Sequence, residues 1–104
     1  MLRTEHSPWA TGVSIVVPAY NEEKGIEKSL AEIRDAMANL AVDSELIVVD
    51  DGSTDQTAEV AQRSGARLIS FSENRGYGAA LKAGIANARY DMIAIIDAVN
   101  ASGL

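Results

Sequence analysis

Apolar and polar positions along the chain alternate between strand-like runs and a helical period. Val13-Ser14-Ile15-Val16-Val17 is a β-branched run that predicts a buried first strand. Pro18 is expected to end it, because proline has no N–H to give to a sheet ladder. Beyond it Ile26, Leu30, Ile33, Met37 and Leu40 recur at steps of four and three, one stripe of a helix that Asn21 can cap. Glu45 to Val49 reads as a second strand, closed by Asp50-Asp51-Gly52. Ser53-Thr54-Asp55-Gln56 then has the form of a capping box, with Ser53 as N-cap and Gln56 reaching back. The helix it starts runs to Ser64, and Gly65 suits the C′ position. A third strand over Arg67 to Phe71, a third helix from about Tyr77 to Ala88 and a fourth strand over Met92 to Ile96 complete the pattern.

The order β-α-β-α-β-α-β with short links predicts an α/β fold: a three-layer, Rossmann-like parallel sheet with helices on both faces and right-handed crossovers. Ligands of such sheets bind outside the carboxyl ends of the strands, where the strand order switches. Three polar clusters lie at those ends: Tyr20-Asn21-Glu22, Asp50-Asp51, and Asp97. A strand order of 3-2-1-4 would bring them to one crevice. Residues 13–98 are expected to form the folded unit, 1–12 a flexible lead-in and 99–104 a divergent tail.

Composition narrows the ligand. A chain of 104 residues is one small domain. Its net charge of −6 argues against a nucleic-acid backbone or an anionic membrane surface as partner. A small anionic ligand remains compatible if a divalent cation stands between the two. With no cysteine, disulfides, thiolate metal sites and thiol nucleophiles are absent. The N-terminal segment has no apolar run of a signal peptide, and no stretch approaches the ~20 apolar residues of a membrane span. These features suit a cytoplasmic protein. The single histidine, His6, lies in the lead-in with Trp9, so no Ser–His–Asp set can be argued.

Three blocks carry a resemblance. Val13 to Glu22 looks like the opening strand of family 2 glycosyltransferases of the GT-A fold. Ile47 to Asp55 is similar to their second-strand signature, and Asn74-Arg75-Gly76-Tyr77-Gly78-Ala79-Ala80-Leu81-Lys82-Ala83-Gly84 resembles their third block. The three come in order, at matching spacing, and are closest to the subgroup that transfers sugars to dolichyl or undecaprenyl phosphate.

The resemblance implies a nucleotide-sugar-binding half of a metal-dependent, inverting transferase. Pro18, Ala19, Tyr20 and Glu22 would border the nucleoside. Asp51, with Asp50 beside it, would accept a hydrogen bond from a ring N–H of the base. Uracil and guanine both present one, so the donor could be UDP- or GDP-linked. Gly76, Gly78 and Lys82 would lie along the nucleotide, with Asp97 and Ala98 at its diphosphate. Asp97 would be the first carboxylate of a D-x-D motif holding Mg²⁺ or Mn²⁺, a hard cation that takes oxygen ligands. Relatives place a second carboxylate two positions on; here Val99 stands there, which weakens the expected metal site. The base that deprotonates the acceptor is expected beyond the chain end. A longer relative would be peripheral to the membrane.

Each of these residues also has a plainer reading. Asp50-Asp51 can be a strand end entering a helix cap, and capping accounts fully for Ser53 and Asp55. Glu22 and Glu23 suit the first turn of a helix. Arg75 and Lys82 can be solvated surface charges. Gly76-Tyr77-Gly78 is similar to a dinucleotide fingerprint, but Leu81 replaces its third glycine and it follows strand three. Paired acids at strand ends also suit phospho-acceptor receiver domains, whose lysine after a later strand is missing here. Three functions therefore stand side by side: an active transferase, an inactive nucleotide-binding module, and a structural remnant that self-associates through an exposed sheet edge.

Overall fold

The computed structural model describes residues 12–98; the expectations for residues 1–11 and 99–104, Val99 included, lie outside them. Seven elements alternate along the chain: β1 (Gly12–Ala19), α1 (Ile26–Met37), β2 (Asp43–Asp50), α2 (Thr57–Arg63), β3 (Arg67–Ser70), α3 (Tyr77–Ala86) and β4 (Met92–Ile95). All strand pairs are parallel and the sheet order is β3-β2-β1-β4. The α/β class and the strand order are therefore those the sequence predicts.

Side chains of β1 alternate between two helical layers. Val13, Ile15, Val17 and Ala19 join Leu46 and Val48 of β2 under Ile26, Leu30 and Ile33 of α1 and Val60 and Ala61 of α2. Val16, Ile47 and Val49 face the other way, against Ala80 of α3. Val16, Val17, Ile47, Val48 and Val49 are wholly buried, each side chain contributing about 1.5–3 kcal/mol through the hydrophobic effect. The two central strands carry most of that core, which gives the crevice above them a rigid floor.

Several local expectations are corrected. Pro18 does not end β1: it is paired in register with Val49, and the strand runs on to Ala19. The backbone explains why. The Val16 carbonyl accepts the Ile96 N–H and the Ala19 carbonyl accepts the Asp51 N–H. Even-numbered residues of β1 thus point their backbone groups toward β4 and odd-numbered ones toward β2. Pro18 faces the β4 side, where the paired residues end at Ile95, so its missing N–H ends the ladder to β4 while the pairing with β2 continues.

Helix starts also shift. Gly25 is the N-cap of α1 and Gln56 of α2, neither with a side-chain cap. Asn21 and Ser53 are not caps, and Leu40 lies exposed beyond the end of α1. Asp55 keeps a capping role through Oδ1, which accepts the Thr57 N–H at 3.0 Å and the Thr57 hydroxyl. Gly65 has a φ of 86°, as a C′ glycine should.

At the amino end of the sheet, Glu45 ties three strands and a loop together. Its Oε2 accepts the Ser14 hydroxyl and the Arg89 N–H, and its Oε1 pairs with Arg67 at 3.3 Å. The Ser14 oxygen in turn accepts the Tyr90 N–H at 3.0 Å. Burial alone would raise the Glu45 pKa; these donors more than offset it and hold the carboxyl below its ordinary value.

Candidate functional site

The carboxyl ends of β1, β2 and β4 open on a cavity of about 440 Å³. Small-molecule sites commonly occupy roughly 300–1,000 Å³. Its walls are Pro18, Ala19, Tyr20 and Glu22 after β1, Asp51 after β2, Asn74, Gly76, Tyr77 and Ala80 around the start of α3, and Asp97 and Ala98 after β4. Eight of the residues singled out in the sequence line it. Asp50, Gly78 and Lys82 do not.

Asp50 points elsewhere because its oxygens are engaged. Oδ2 accepts the Ser70 hydroxyl at 3.0 Å and Oδ1 accepts the Ser53 N–H at 3.3 Å, within a carboxylate that is almost wholly buried. It ties β2 to β3 and to its own turn. Gly78 and Lys82 are exposed on α3.

Asp51 organises the wall opposite. Its Oδ1 accepts the Arg75 N–H at 2.7 Å; its Oδ2 accepts the Gly76 N–H at 3.0 Å and the Asn74 side-chain amide at 3.1 Å. A carboxylate has about four acceptor positions, so three are taken and one remains for a ligand N–H. Gly76 adopts a φ of 103°, a region that disfavours any side chain, as it turns the chain into α3. Gly52, at a φ of 74°, lies so close to the backbone of Glu73 and Asn74 that a Cβ would collide with both. The two glycines let the β2 and β3 loops close on Asp51. Beside them the Arg75 guanidinium stacks 4.6 Å above the Phe71 ring.

The loop after β1 is fastened to the loop after β2 by reciprocal bonds. Asn21 N–H donates to the Ser53 hydroxyl oxygen at 2.9 Å, while Thr54 N–H donates to Asn21 Oδ1 at 2.8 Å. Glu23 N–H reaches Asp55 Oδ2 at 3.3 Å, and Gln56 N–H reaches Glu23 Oε1 at 2.8 Å. Glu22 N–H donates to the buried Thr57 hydroxyl oxygen at 2.8 Å. Asn21 has a φ of 51°, a left-handed conformation that asparagine tolerates better than most residues. Desolvation first, and then the charge of Asp55, raise the pKa of Glu22 in the cavity wall.

Three lining residues were not assigned from the sequence: Asn74, Tyr77 and Ala80. Tyr77 opens α3 and its hydroxyl donates to Asp97 Oδ1 at 3.1 Å, across the cavity mouth. Desolvation, followed by that hydrogen bond and the carboxylate charge, raises the phenol's pKa and keeps it a donor. The signal for Tyr77 was present in Gly76-Tyr77-Gly78, an aromatic residue at a helix start beside a loop glycine.

Among the described residues, no group of three His, Cys, Asp or Glu side chains could hold a metal ion. The cavity nevertheless offers hard oxygen donors. Asp51 is committed to its loop, whereas Asp97 is exposed and, among the described residues, accepts one hydrogen bond, from Tyr77. Mg²⁺ commonly binds through one or two carboxylates together with substrate phosphates and water. Asp97 fits such a cation, one held mainly by its ligand.

A four-stranded parallel sheet with a polar crevice at its strand-order switch defines a doubly wound α/β fold. The profile of glycosyl transferase family 2 matches residues 14–98, and the chain belongs to that family. It is 36% identical over 92 residues to undecaprenyl-phosphate 4-deoxy-4-formamido-L-arabinose transferase of Edwardsiella ictaluri, covering 83% of this chain and 28% of that one. The enzyme of the same name in Pseudomonas paraeruginosa is 38% identical, with 83% and 27% covered. Among solved structures, glucosyl-3-phosphoglycerate synthase of Mycobacterium tuberculosis, in complex with Mn²⁺, UDP and glucosyl-3-phosphoglycerate, is similar. It has a TM-score of 0.73 and 37% identity, over 86% of this chain and 35% of that one. Mannosyl-3-phosphoglycerate synthase of Rubrobacter xylanophilus aligns with a TM-score of 0.74 and 28% identity, over 85% and 30%. The chain thus spans about a quarter to a third of these relatives. The fold is that of GT-A glycosyltransferases, as the sequence blocks imply. Among the described residues, no helix is long and apolar enough to cross a membrane.

Proposed function

We propose that the crevice binds the nucleoside diphosphate of a sugar donor, UDP- or GDP-linked, for metal-dependent inverting transfer to a polyprenyl phosphate. The observation that carries this reading is the placement of Asp51 and Asp97 on one cavity, which Tyr20 and Glu22 also line. Asp51 has one acceptor position left for a base N–H. Glu22 supplies an acceptor for ribose hydroxyls. Asp97 would hold Mg²⁺ or Mn²⁺ on the diphosphate. When bound, the cation offsets negative charge that builds on the departing diphosphate. The relatives found with UDP and with Mn²⁺ or Mg²⁺ support the same ligand chemistry.

Gly78 and Lys82 remain candidates for the nucleotide's outer edge from α3, beyond the cavity wall. A polyprenyl phosphate acceptor would place the working protein at a membrane surface while keeping the donor site in the cytoplasm. The exposed β4 edge, with Met92, Ile95 and Ile96 uncovered, is the surface through which a second copy would attach.

A second reading is that this chain holds the donor without turning it over. The donor set for the cation favours it, since among the described residues no group of three His, Cys, Asp or Glu side chains could hold a metal ion. Calorimetric titration with UDP and GDP, each with and without Mn²⁺, tests the binding reading. One nucleotide should bind, more tightly with metal; no binding of either at millimolar ligand rejects it. Donor hydrolysis or sugar transfer then separates the transferase from the binding module.

A further inference from the structure

The first residue of α3, Tyr77, is 55% exposed, yet its hydroxyl is not left to solvent. It reaches over the cavity mouth and donates to Oδ1 of Asp97, twenty residues on, at 3.1 Å. Among the described residues, no group donates to Oδ2 of the same carboxylate. A phenol carries one O–H, so it can satisfy one carboxylate oxygen and must leave the other as an acceptor.

We propose that Tyr77 is a positioning residue for Asp97, fixing the carboxylate through Oδ1 so that Oδ2 is the oxygen offered to the cation on the donor diphosphate. The inference rests on the donor-binding reading above and adds to it a residue that holds the metal-binding group in place.

The physical case has three parts. An exposed aspartate in a loop samples several rotamers, and each one lost on metal binding costs free energy. A neutral donor fixes the rotamer without adding a positive charge that would repel the cation. The dependence on such a donor grows as the number of protein ligands falls, and among the described residues no group of three His, Cys, Asp or Glu side chains could hold the cation. In metal sites generally, removing an outer partner of a ligand costs roughly 10–100-fold in metal affinity. The placement of Tyr77 also follows from the fold: Asp51 fixes the N–H of Gly76, and that bond sets where α3 begins.

The test uses the chain as it is, with UDP and, in parallel, GDP. Free Mn²⁺ is followed by its electron paramagnetic resonance signal, and nucleotide binding without metal by calorimetry. Wild type, Tyr77→Phe and Asp97→Asn are compared. Tyr77→Phe should weaken Mn²⁺ uptake in the nucleotide complex by roughly 10–100-fold, far more than it weakens metal-free nucleotide binding, with melting temperature retained. Asp97→Asn should abolish the metal effect. If Tyr77→Phe takes up Mn²⁺ as tightly as the wild type while Asp97→Asn does not, the positioning role is overturned and the donor site stands. It is equally overturned if Tyr77→Phe loses metal-free nucleotide binding to the same extent, since the phenol would then act on the nucleotide. If wild type shows no nucleotide-dependent Mn²⁺ uptake, the donor-binding reading itself fails.

Discussion

Asp51 sets the position of Gly76: Oδ2 of the carboxylate accepts the Gly76 N–H at 3.0 Å while Oδ1 accepts the neighbouring Arg75 N–H at 2.7 Å. The end of β2 therefore dictates where α3 starts. Asp51→Asn retains one carbonyl oxygen and turns an NH₂ toward a backbone N–H, leaving a donor unpaired. The expected loss is about 1–3 kcal/mol. Urea denaturation should show a lowered midpoint, with nucleotide affinity falling alongside it. An unchanged midpoint would mean that water replaces the lost acceptor and that the staple is dispensable.

Thr57 offers a second check on how the site is held. Its buried hydroxyl oxygen accepts the Glu22 N–H at 2.8 Å and fastens the cavity wall after β1 to the start of α2. Thr57→Val keeps the shape and removes the acceptor. Thermal unfolding should report a loss of about 1–3 kcal/mol, and calorimetry a weaker nucleotide complex. A variant as stable as the wild type would show that the reciprocal loop bonds hold the wall without this one.

The alternation of strand and helix was legible because each element carries its own period, and burial of Val16, Ile47 and Val49 needs nothing beyond it. What could not be read was long-range. Pro18 looked like a strand end because the side of β1 facing the shorter β4 is invisible in one dimension. Asn21 and Ser53 have the composition of helix caps, yet they serve each other's loops across 32 positions. Asp50 and Asp51 are adjacent and chemically identical; only the pleat decides that one ties β2 to Ser70 while the other lines the cavity. Tyr77 lay inside a glycine pattern that was set aside, and only the packing of α3 brings it to Asp97.

Glu45 makes the stability of the sheet pH-dependent. Burial opposes ionisation there, but bonds from Ser14, Arg89 and Arg67 hold its pKa below the ordinary 4.5. A depressed acid contributes stability that is fully present above its unfolded value and is lost as pH falls through the folded one. Glu45→Gln should therefore melt below the wild type at pH 7, and the two curves should converge under acid conditions below pH 4.5. A gap that persists unchanged in acid would assign the effect to shape and not to charge.

Among the described residues, no strand lies beside the outer edge of β4, and Ile95 there is 44% exposed. Charged residues on edges deter strand addition. Sedimentation velocity at rising concentration should show self-association of the wild type, reduced in Ile95→Lys with melting temperature retained. A wild type that stays monomeric throughout would remove β4 as a self-association surface.

Glu22 runs opposite to Glu45. Desolvation and the nearby Asp55 raise its pKa, so the native fold favours the protonated form more than the unfolded chain does. By linkage, the folded state binds more protons in that window and stability falls as pH rises through it. Above the window the ionised carboxylate is a standing cost to the fold. Glu22→Gln keeps the size and removes that charge, so at pH 7 it should melt above the wild type. The advantage should fade as pH drops below the ordinary 4.5, where both side chains are neutral. If Glu22 contacts ribose, the same variant should bind the nucleotide less tightly at pH 7 despite its greater stability, because a carboxylate is a stronger acceptor than an amide oxygen. Melting curves across pH, paired with calorimetry at pH 7, read both effects. Greater stability with undiminished binding would leave Glu22 a strained wall residue with no ligand contact, whereas the opposed pair would mark it as a place where the fold gives up stability to its site.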